Sequence, residues 1–493
     1  MSPLLLLACL AADPTGSVED PDGGSAGDGG DTGDGGQAGD GGIAGDGGGT
    51  GDGGEPGDGG DTGDGGDTGD GGDTGDGGFA VFDEVQATGI GWTLDEDPAA
   101  IVHVEWTQLA PADVWVEFQF DESGWWRSPV QRAGAGTREV LLLGIPYAQA
   151  LRFRVANDFG EGALYSPERE ATTGALPENA PQALIQVSDP LAWDPDATWL
   201  WTSVRGQGRT WLVLVDRQGR LLWAHDQGLE LQTFWTSISR DGSALLWDEA
   251  NYFGDDDRVL RARIDGSIEH RFETPDLFHA FAETRDQSIA WQAWAEDGQE
   301  TIEEVNLDGT VTRLFDGVEG WHSNALWWDE AADSFLSSYF THHSILRIDR
   351  SRGAILDTWG LEGDWTIEPE GARFWYQHGV HLTDSGTLLL SCHTSEESDE
   401  AAVREYQVDP DSRELRQVWN HGEGEGIEAP YYGEAHRLAG GNTVRNYGSN
   451  ALVRELRPDG EVVWQVQWLD GDGDPAAFVG HMAFISDLYA LAP

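Results

Sequence analysis

Short runs of alternating apolar and polar residues fill the chain from Phe79 onward, and no long amphipathic helix interrupts them. Val102-His103-Val104-Glu105-Trp106, Val114-Trp115-Val116-Glu117-Phe118 and Leu151-Arg152-Phe153-Arg154-Val155 each place apolar residues on one face of a strand. This pattern over 79–175 predicts a β-sandwich. From 176 to 493 a longer period takes over. Six times a strand enters a tight turn and leaves as another strand, at Gln218-Gly219, Asp265-Gly266, Asp308-Gly309, Arg352-Gly353, Asp411-Ser412 and Asp459-Gly460. The flanking strands are alike, as in Leu212-Val213-Leu214-Val215-Asp216 and Ile345-Leu346-Arg347-Ile348-Asp349. A second hairpin precedes most of them, as around Asp241-Gly242 and Ser385-Gly386. Two hairpins in each unit of ~45 residues make four strands, so the repeat predicts a six-bladed β-propeller over 176–493 and an all-β fold. A repeat of that length is too short for an array of sandwiches.

The N-terminal part has another character. Residues 20–78 repeat Gly-Asp-Gly-Gly with Asp-Thr interleaved and hold nothing to bury, which predicts a disordered linker. Calcium-binding Gly/Asp repeats carry a recurring apolar residue that builds a core; none recurs here, so a tether is the better reading. Residues 1–19 contain the run Leu4 to Leu7 followed by Ala8-Cys9. That resembles a bacterial lipoprotein signal, in which Cys9 would be lipidated and become the mature N-terminus. The segment is short and lacks the usual positive residues, which a true start further upstream would explain. No later stretch approaches the ~18 apolar residues that span a bilayer. The expectation is an exported, lipid-anchored envelope protein of periplasm or cell surface, touching the membrane only through its anchor.

Charge narrows the partners. The net charge is −61, and all 28 basic residues are arginine, none before Arg127. Such a chain repels phosphate backbones, so no nucleic-acid partner is expected. The 23 tryptophans call for a large apolar interior or an aromatic-lined site. With two cysteines, Cys9 and Cys392, a disulfide framework is not expected, and Cys392 reads as a small buried hydrophobe.

In a propeller the first strand of each blade lines the central channel. Counting back eight residues from the first-hairpin glycine, or its equivalent, gives one level of that wall. The count reaches His378 from Gly386, His279 from Gln287, Gly433 in the last blade, and Phe234 beside Trp235 in the second. The intervening blade begins Trp321-His322-Ser323-Asn324. A lone histidine is more often structural, but three at matching positions in neighbouring repeats point to a functional cluster. His342-His343 and His378-x-x-His381 do not read as metal sites, because strand alternation sends His378 and His381 to opposite faces. No metal is expected.

Two resemblances add to this. Leu143-Gly144-Ile145-Pro146-Tyr147, followed by the Leu151 strand, resembles the end of a fibronectin type III domain, with Trp106 as its core tryptophan. Within 175–493, Trp321-His322-Ser323-Asn324 with Ser337-Ser338, Tyr376-Gln377-His378, Ala435-His436-Arg437-Leu438-Ala439-Gly440-Gly441-Asn442-Thr443 and Phe484-Ile485-Ser486-Asp487-Leu488-Tyr489 resemble segments of the bacterial arylsulfotransferases. That family moves a sulfuryl group from an aryl sulfate to a phenol without a nucleotide donor. The resemblance implies an aromatic sulfate donor, a phenolic acceptor and no cofactor. It makes His378 the residue that takes the sulfuryl group covalently. His322 and Asn324 would hold the sulfuryl or leaving oxygens, and His279 would assist as donor or acid. Trp235, Tyr376 and Trp375 are candidates to stack on aryl rings. The chemistry is sound on its own terms: a neutral imidazole can split one displacement into two in-line steps, and fixed donors stabilise the charge that develops.

One position departs from the family. An arginine follows its serine pair, and here that position is Tyr339. Losing a fixed cation beside a sulfate is costly, since hydrogen bonds to charged groups are worth ~1.5–3 kcal/mol each. Either Tyr339 donates a hydrogen bond instead or Arg373 substitutes. The alternative is a catalytically impaired propeller that serves as an exported binding or scaffolding lipoprotein.

Overall fold

The computed structural model describes residues 86–493 except 96–97, 123, 252–255 and 295–298. Cys9 and the Gly/Asp-rich stretch 20–78 lie outside the described residues. The regular elements among the described residues are β-strands and short 3₁₀ turns. Among these residues no helix is long and apolar enough to cross a membrane.

The first part consists of two antiparallel sheets. One pairs Ala87–Leu94, Val102–Gln108 and Gly136–Leu142; the other is built on Ala112–Phe120 and Ala150–Asp158, with four short strands beside them. The alternating residues meet between the sheets, where Trp106, Phe118, Leu142, Phe153 and Val155 are buried in one cluster. Trp106 is 1% exposed and donates its indole N–H to Gln108 Oε1 at 2.9 Å. Ile101 and Leu143, from the ends of strands in this pair of sheets, pack instead with Trp201, Leu214 and Leu488 from further along the chain. Arg220 pairs with Asp121 at 2.9 Å across the same boundary.

Six further sheets follow. The first contains Thr236–Ile238, Leu245–Glu249, Arg258–Ala262 and Ile268–Glu273; the second Leu277–Glu283, Ile289–Trp294, Glu300–Val305 and Val311–Phe315. The third contains Ser323–Asp329, Ser334–Tyr339, Ser344–Asp349 and Ala354–Gly360. The fourth contains Trp375–Leu382, Leu388–Ser395, Ser398–Asp409 and Glu414–His421, with Thr366–Glu368 added in parallel at its edge. The fifth contains Glu434–Arg437, Thr443–Asn446, Leu452–Leu456 and Val462–Leu469, edged by Gln182–Ser188. In the sixth, Phe478–Ile485 pairs with Trp199–Gly206, which leads to Arg209–Asp216 and Leu221–Gly228. The C-terminal strand therefore completes the sheet begun by an early strand, joining the two ends of the repeat. Each of the six expected turns lies between the last two strands of one sheet.

Residue choice follows position in each sheet. Arg209–Asp216 is buried along nearly its whole length and reads as an almost unbroken apolar run, as a strand covered on both faces must. Ala354–Gly360, at the edge, is mostly exposed or half-buried. Most tryptophans serve the packing between sheets: Trp201 meets Trp223 and Trp247 edge-on at 5.3 and 6.2 Å. The first strand of each sheet faces inward. One cavity draws Ser237, Phe281, Leu326, Val380, His436 and Met482 from all six of them.

Candidate functional site

Irregular backbone brings the candidate residues together. Pairing slips between Leu277 and Phe281, between Trp375 and His378, and again between His378 and His381. His279, Tyr376 and Gly379 sit at the bulges with φ of 69°, 46° and 57°. At Gly379 a side chain is excluded twice over, by φ and by Glu434, whose Cβ lies 2.5 Å from where a Cβ would stand. These bulges overturn the expectation that His378 and His381 point to opposite faces. Both line cavities of the central channel at different depths, His378 beside His279 and His381 beside His436.

His279, Asn324 and His378, from three different sheets, line one cavity with Phe340, Tyr376 and Tyr432. It encloses about 320 Å³ and is partly open to solvent, at the lower end of the range of small-ligand clefts. A narrower extension shares the same three residues and adds Phe234, Trp235 and Gly433. The level reached by counting back from the hairpin glycines is thus a single physical level of the channel.

The protons on this wall can be followed. Burial, reinforced by His279 and His393, pushes the pKa of His378 down to about 3. Burial likewise lowers that of His279 to about 4. His279 Nδ1 lies 3.0 Å from the Ser323 carbonyl. A carbonyl only accepts, so Nδ1 carries the proton and Nε2 keeps its lone pair. Asn324 donates from Nδ2 to the Gln377 carbonyl at 2.9 Å, while its buried Oδ1 has no partner. The serine pair supports this wall from behind. Ser338 donates to the Gln377 carbonyl at 3.1 Å, and Gln377 Nε2 donates to Ser338 Oγ and the Ser344 carbonyl. His343 accepts the Tyr376 backbone N–H at 3.2 Å, so one of the adjacent histidines fixes the bulge.

Other candidates stand elsewhere. His322 lines neither cavity: its ring stacks on Trp294 at 5.0 Å, and its Nδ1 lies 3.1 Å from buried Glu300. Tyr339 is 2% exposed and packs among Ala280, Leu326, Phe335 and Leu346, with burial raising its pKa. Arg373 is exposed and lines neither cavity. Trp235 lines the narrow extension and stacks on His481 at 3.8 Å. Cys392 is buried in a core cluster, its thiol pushed up to about 11 by that burial.

Sequence reasoning missed part of the wall. His393, the carboxylates Glu396, Glu397 and Asp399, and Pro430-Tyr431 complete the wider cavity. His393 comes opposite Trp375 only through two slips in register, so a count from the hairpin does not reach it. Among the described residues no guanidinium lines either cavity.

The profile of the arylsulfotransferase (ASST) family matches residues 285–468. Residues 285–468 belong to the arylsulfotransferase family. This arylsulfotransferase segment contains His322, Asn324, Tyr376 and His378; His279 and Trp235 precede it. No curated protein matches the chain. Among solved structures, TolB from Acinetobacter baumannii is similar at 11% identity and a TM-score of 0.39, covering 70% of this chain and 80% of its own. The Cps50 (Swd1) β-propeller domain of Myceliophteria thermophila is similar at 13% identity and a TM-score of 0.36, covering 58% and 86%. Likeness this distant decides neither fold nor function.

Proposed function

We propose that the protein transfers a sulfuryl group from an aryl sulfate to a phenol through a sulfohistidine at His378. The observation that carries this reading is the meeting of His279, Asn324 and His378 on one aromatic-walled cavity, two of them inside the arylsulfotransferase segment. A neutral His378 nitrogen attacks sulfur, the S–O(aryl) bond breaks, and the phenolate leaves with the electron pair and takes a proton from solvent. The acceptor phenol then attacks sulfur, the N–S bond breaks, and His378 regains its lone pair. The lone pair on His279 Nε2 suits the acceptor's proton, which makes His279 a base in this reading and not a donor. Tyr376 and Tyr432 offer faces for aryl rings.

The architecture completes the proposal. Residues 176–493 are a six-bladed propeller, supported by the six sheets and their closure by the C-terminal strand. Residues 79–175 are a fibronectin type III-like sandwich, supported by its two sheets around Trp106. Residues 20–78 tether both to an exported, lipid-anchored N-terminus at Cys9 within 1–19.

The test incubates the protein with a chromogenic aryl sulfate, with and without a phenol, and digests the quenched donor-only sample for mass analysis. Release that depends on acceptor, with one SO₃ added to the His378 peptide, is expected. Turnover with the label on another residue would sink the covalent role.

The lowered histidine pKa values carry a second prediction. The active form of both rings is neutral, and a depressed pKa keeps a histidine neutral until the pH falls to that value. Transfer is therefore expected to show no inflection from either ring near pH ~6.5, the ordinary histidine value, and to fall only as pH approaches 4 and then 3. Stability has the matching sign: unfolded rings bind protons below ~6.5 while the folded ones do not, so stability drains as pH falls across that window. A pH–rate profile with an acid limb near 6.5, in protein that circular dichroism shows still folded, would contradict this protonation scheme.

A second reading has its own observation. Three carboxylates and no guanidinium on the wider cavity favour a cationic aromatic ligand over an anionic one. On that reading the propeller binds without turnover. Calorimetry that finds aryl ammonium ions bound and aryl sulfates ignored would select it.

A further inference from the structure

Below the cavity that holds His378, the channel narrows onto a polar group that the transfer reaction does not use. Glu434 and His436 lie two apart on the strand Glu434–Arg437 and so share a face. His481 reaches the same point from the C-terminal strand Phe478–Ile485. Glu434 Oε2 lies 2.7 Å from Nε2 of His436 and 2.7 Å from Nε2 of His481. One donor atom from each of the three lies within 4.8 Å of the others. The site is built from behind. Glu434 Oε1 accepts the Met482 backbone N–H at 2.6 Å and the Asn446 amide at 3.4 Å. His481 Nδ1 lies 2.9 Å from the Thr236 carbonyl.

The Thr236 carbonyl can only accept, so His481 Nδ1 carries a proton. An ionised Glu434 can also only accept, and both imidazoles aim Nε2 at the same oxygen. At 2.7 Å each ring either gives an N–H to that oxygen or, with the three groups spreading by about half an ångström, turns its lone pair to a cation they share. Two imidazole nitrogens and one carboxylate are the donor set of zinc-class ions, whereas calcium and magnesium select oxygen. A backbone carbonyl on the far nitrogen is what fixes a ligating imidazole in the right tautomer.

We propose that Glu434, His436 and His481 form a site for a divalent transition-metal ion of the zinc class. Glu434 is 2% exposed, while His436 is about a quarter exposed to the channel, which leaves a route of entry and an open position for water. The ion joins the first strand of the fifth sheet to the strand that closes the sixth. Glu434 and His481 also line the narrow extension shared with His378, so the charge stands at the floor of a cavity that lacks an arginine. Binding at this site does not depend on the sulfuryl-transfer reading.

The test uses the full chain, stripped with chelator, desalted, and loaded with Co²⁺ or Zn²⁺. One tightly held ion per chain is expected, with the visible bands of nitrogen-ligated, four- or five-coordinate cobalt. Weak binding to the acidic linker cannot give those bands. His436→Ala and His481→Ala should each weaken uptake at least ~10-fold, and His270→Ala, on the edge strand Ile268–Glu273, should leave it unchanged. Histidine ¹⁵N spectra of the unaltered protein decide the matter should either variant misfold. Nε2 of both rings shifts to a metal-bound position on adding Zn²⁺ if the site exists. Imidazolium signals that ignore Zn²⁺, or uptake that survives both substitutions, overturn the proposal.

Discussion

His378→Ala is expected to abolish acceptor-dependent release from an aryl sulfate, by a factor on the order of 10³–10⁶, the range seen when an enzyme loses its nucleophile. The fold should tolerate the change. The ring stands half-buried at a cavity wall, and the bulge is held instead by the Tyr376 backbone N–H, which His343 accepts. What is lost is the neutral nitrogen that burial keeps unprotonated. The assay should compare the variant with His322→Ala, because His322 stacks on Trp294 and holds Glu300 outside the cavity. His322→Ala is expected to lower stability more than turnover. Equal activity in His378→Ala and the unaltered protein would end the covalent reading. Loss in His322→Ala as deep as in His378→Ala, with folding intact, would return His322 to the site.

Glu455→Gln is expected to cost ~3–5 kcal/mol of folding stability, the usual result of removing one partner of a buried ion pair. Glu455 is wholly buried on Leu452–Leu456 and pairs with Arg217 at the hairpin of the sixth sheet. It also accepts from Asn442 Nδ2 at 2.6 Å and from the Asp194 backbone N–H at 2.7 Å. One carboxylate thereby joins the fifth sheet, the sixth sheet and the connection leading into Trp199–Gly206, at the seam where the repeat closes. Arg217 lies over the Trp464 ring at 4.6 Å, and without Glu455 that buried guanidinium loses the carboxylate it pairs with. Urea unfolding with an unchanged slope and a lower midpoint would register the effect. A loss under ~1 kcal/mol would put this pair with exposed salt bridges and not with buried ones.

How much of the site was legible varied residue by residue. His279 and His378 were found by register alone, because a hairpin turn sets the phase of the strand before it and equal phase in neighbouring repeats means equal depth. Asn324 entered by motif and does line the cavity, but its neighbour His322 turns away into the pocket formed by Trp294 and Glu300. Glu300 lies 22 residues earlier on another strand, and nothing local announces that it will take that ring. Tyr339 and Arg373, the two residues near the family's missing arginine, line neither cavity. One is drawn into the apolar cluster around Leu326, and the other faces solvent. The tyrosines and carboxylates that complete the wall arrive from the turn at Glu396-Glu397, from Asp399 just beyond it, and from Pro430–Tyr432, whose course is set by the sheets they join.

The sequence by itself determined the elements: strands, six outer hairpins, the repeat of four strands, and the contrast between 20–78 and the rest. Those features rest on short-range physics, on alternation over a few residues and on turns that demand a particular backbone. Only the tertiary structure decided which side chains meet. It placed His381 on the channel beside His436, through bulges that cancel the alternation, and it carried His481 from the last strand to Glu434. A pair distant along the chain meets only when every sheet between them is in place. Packing also prevailed over polarity locally, burying Tyr339 in an apolar cluster away from the cavity where a hydrogen-bond donor is expected. Alternation and turn chemistry act within a few residues, whereas a channel wall is the sum of six sheets' positions.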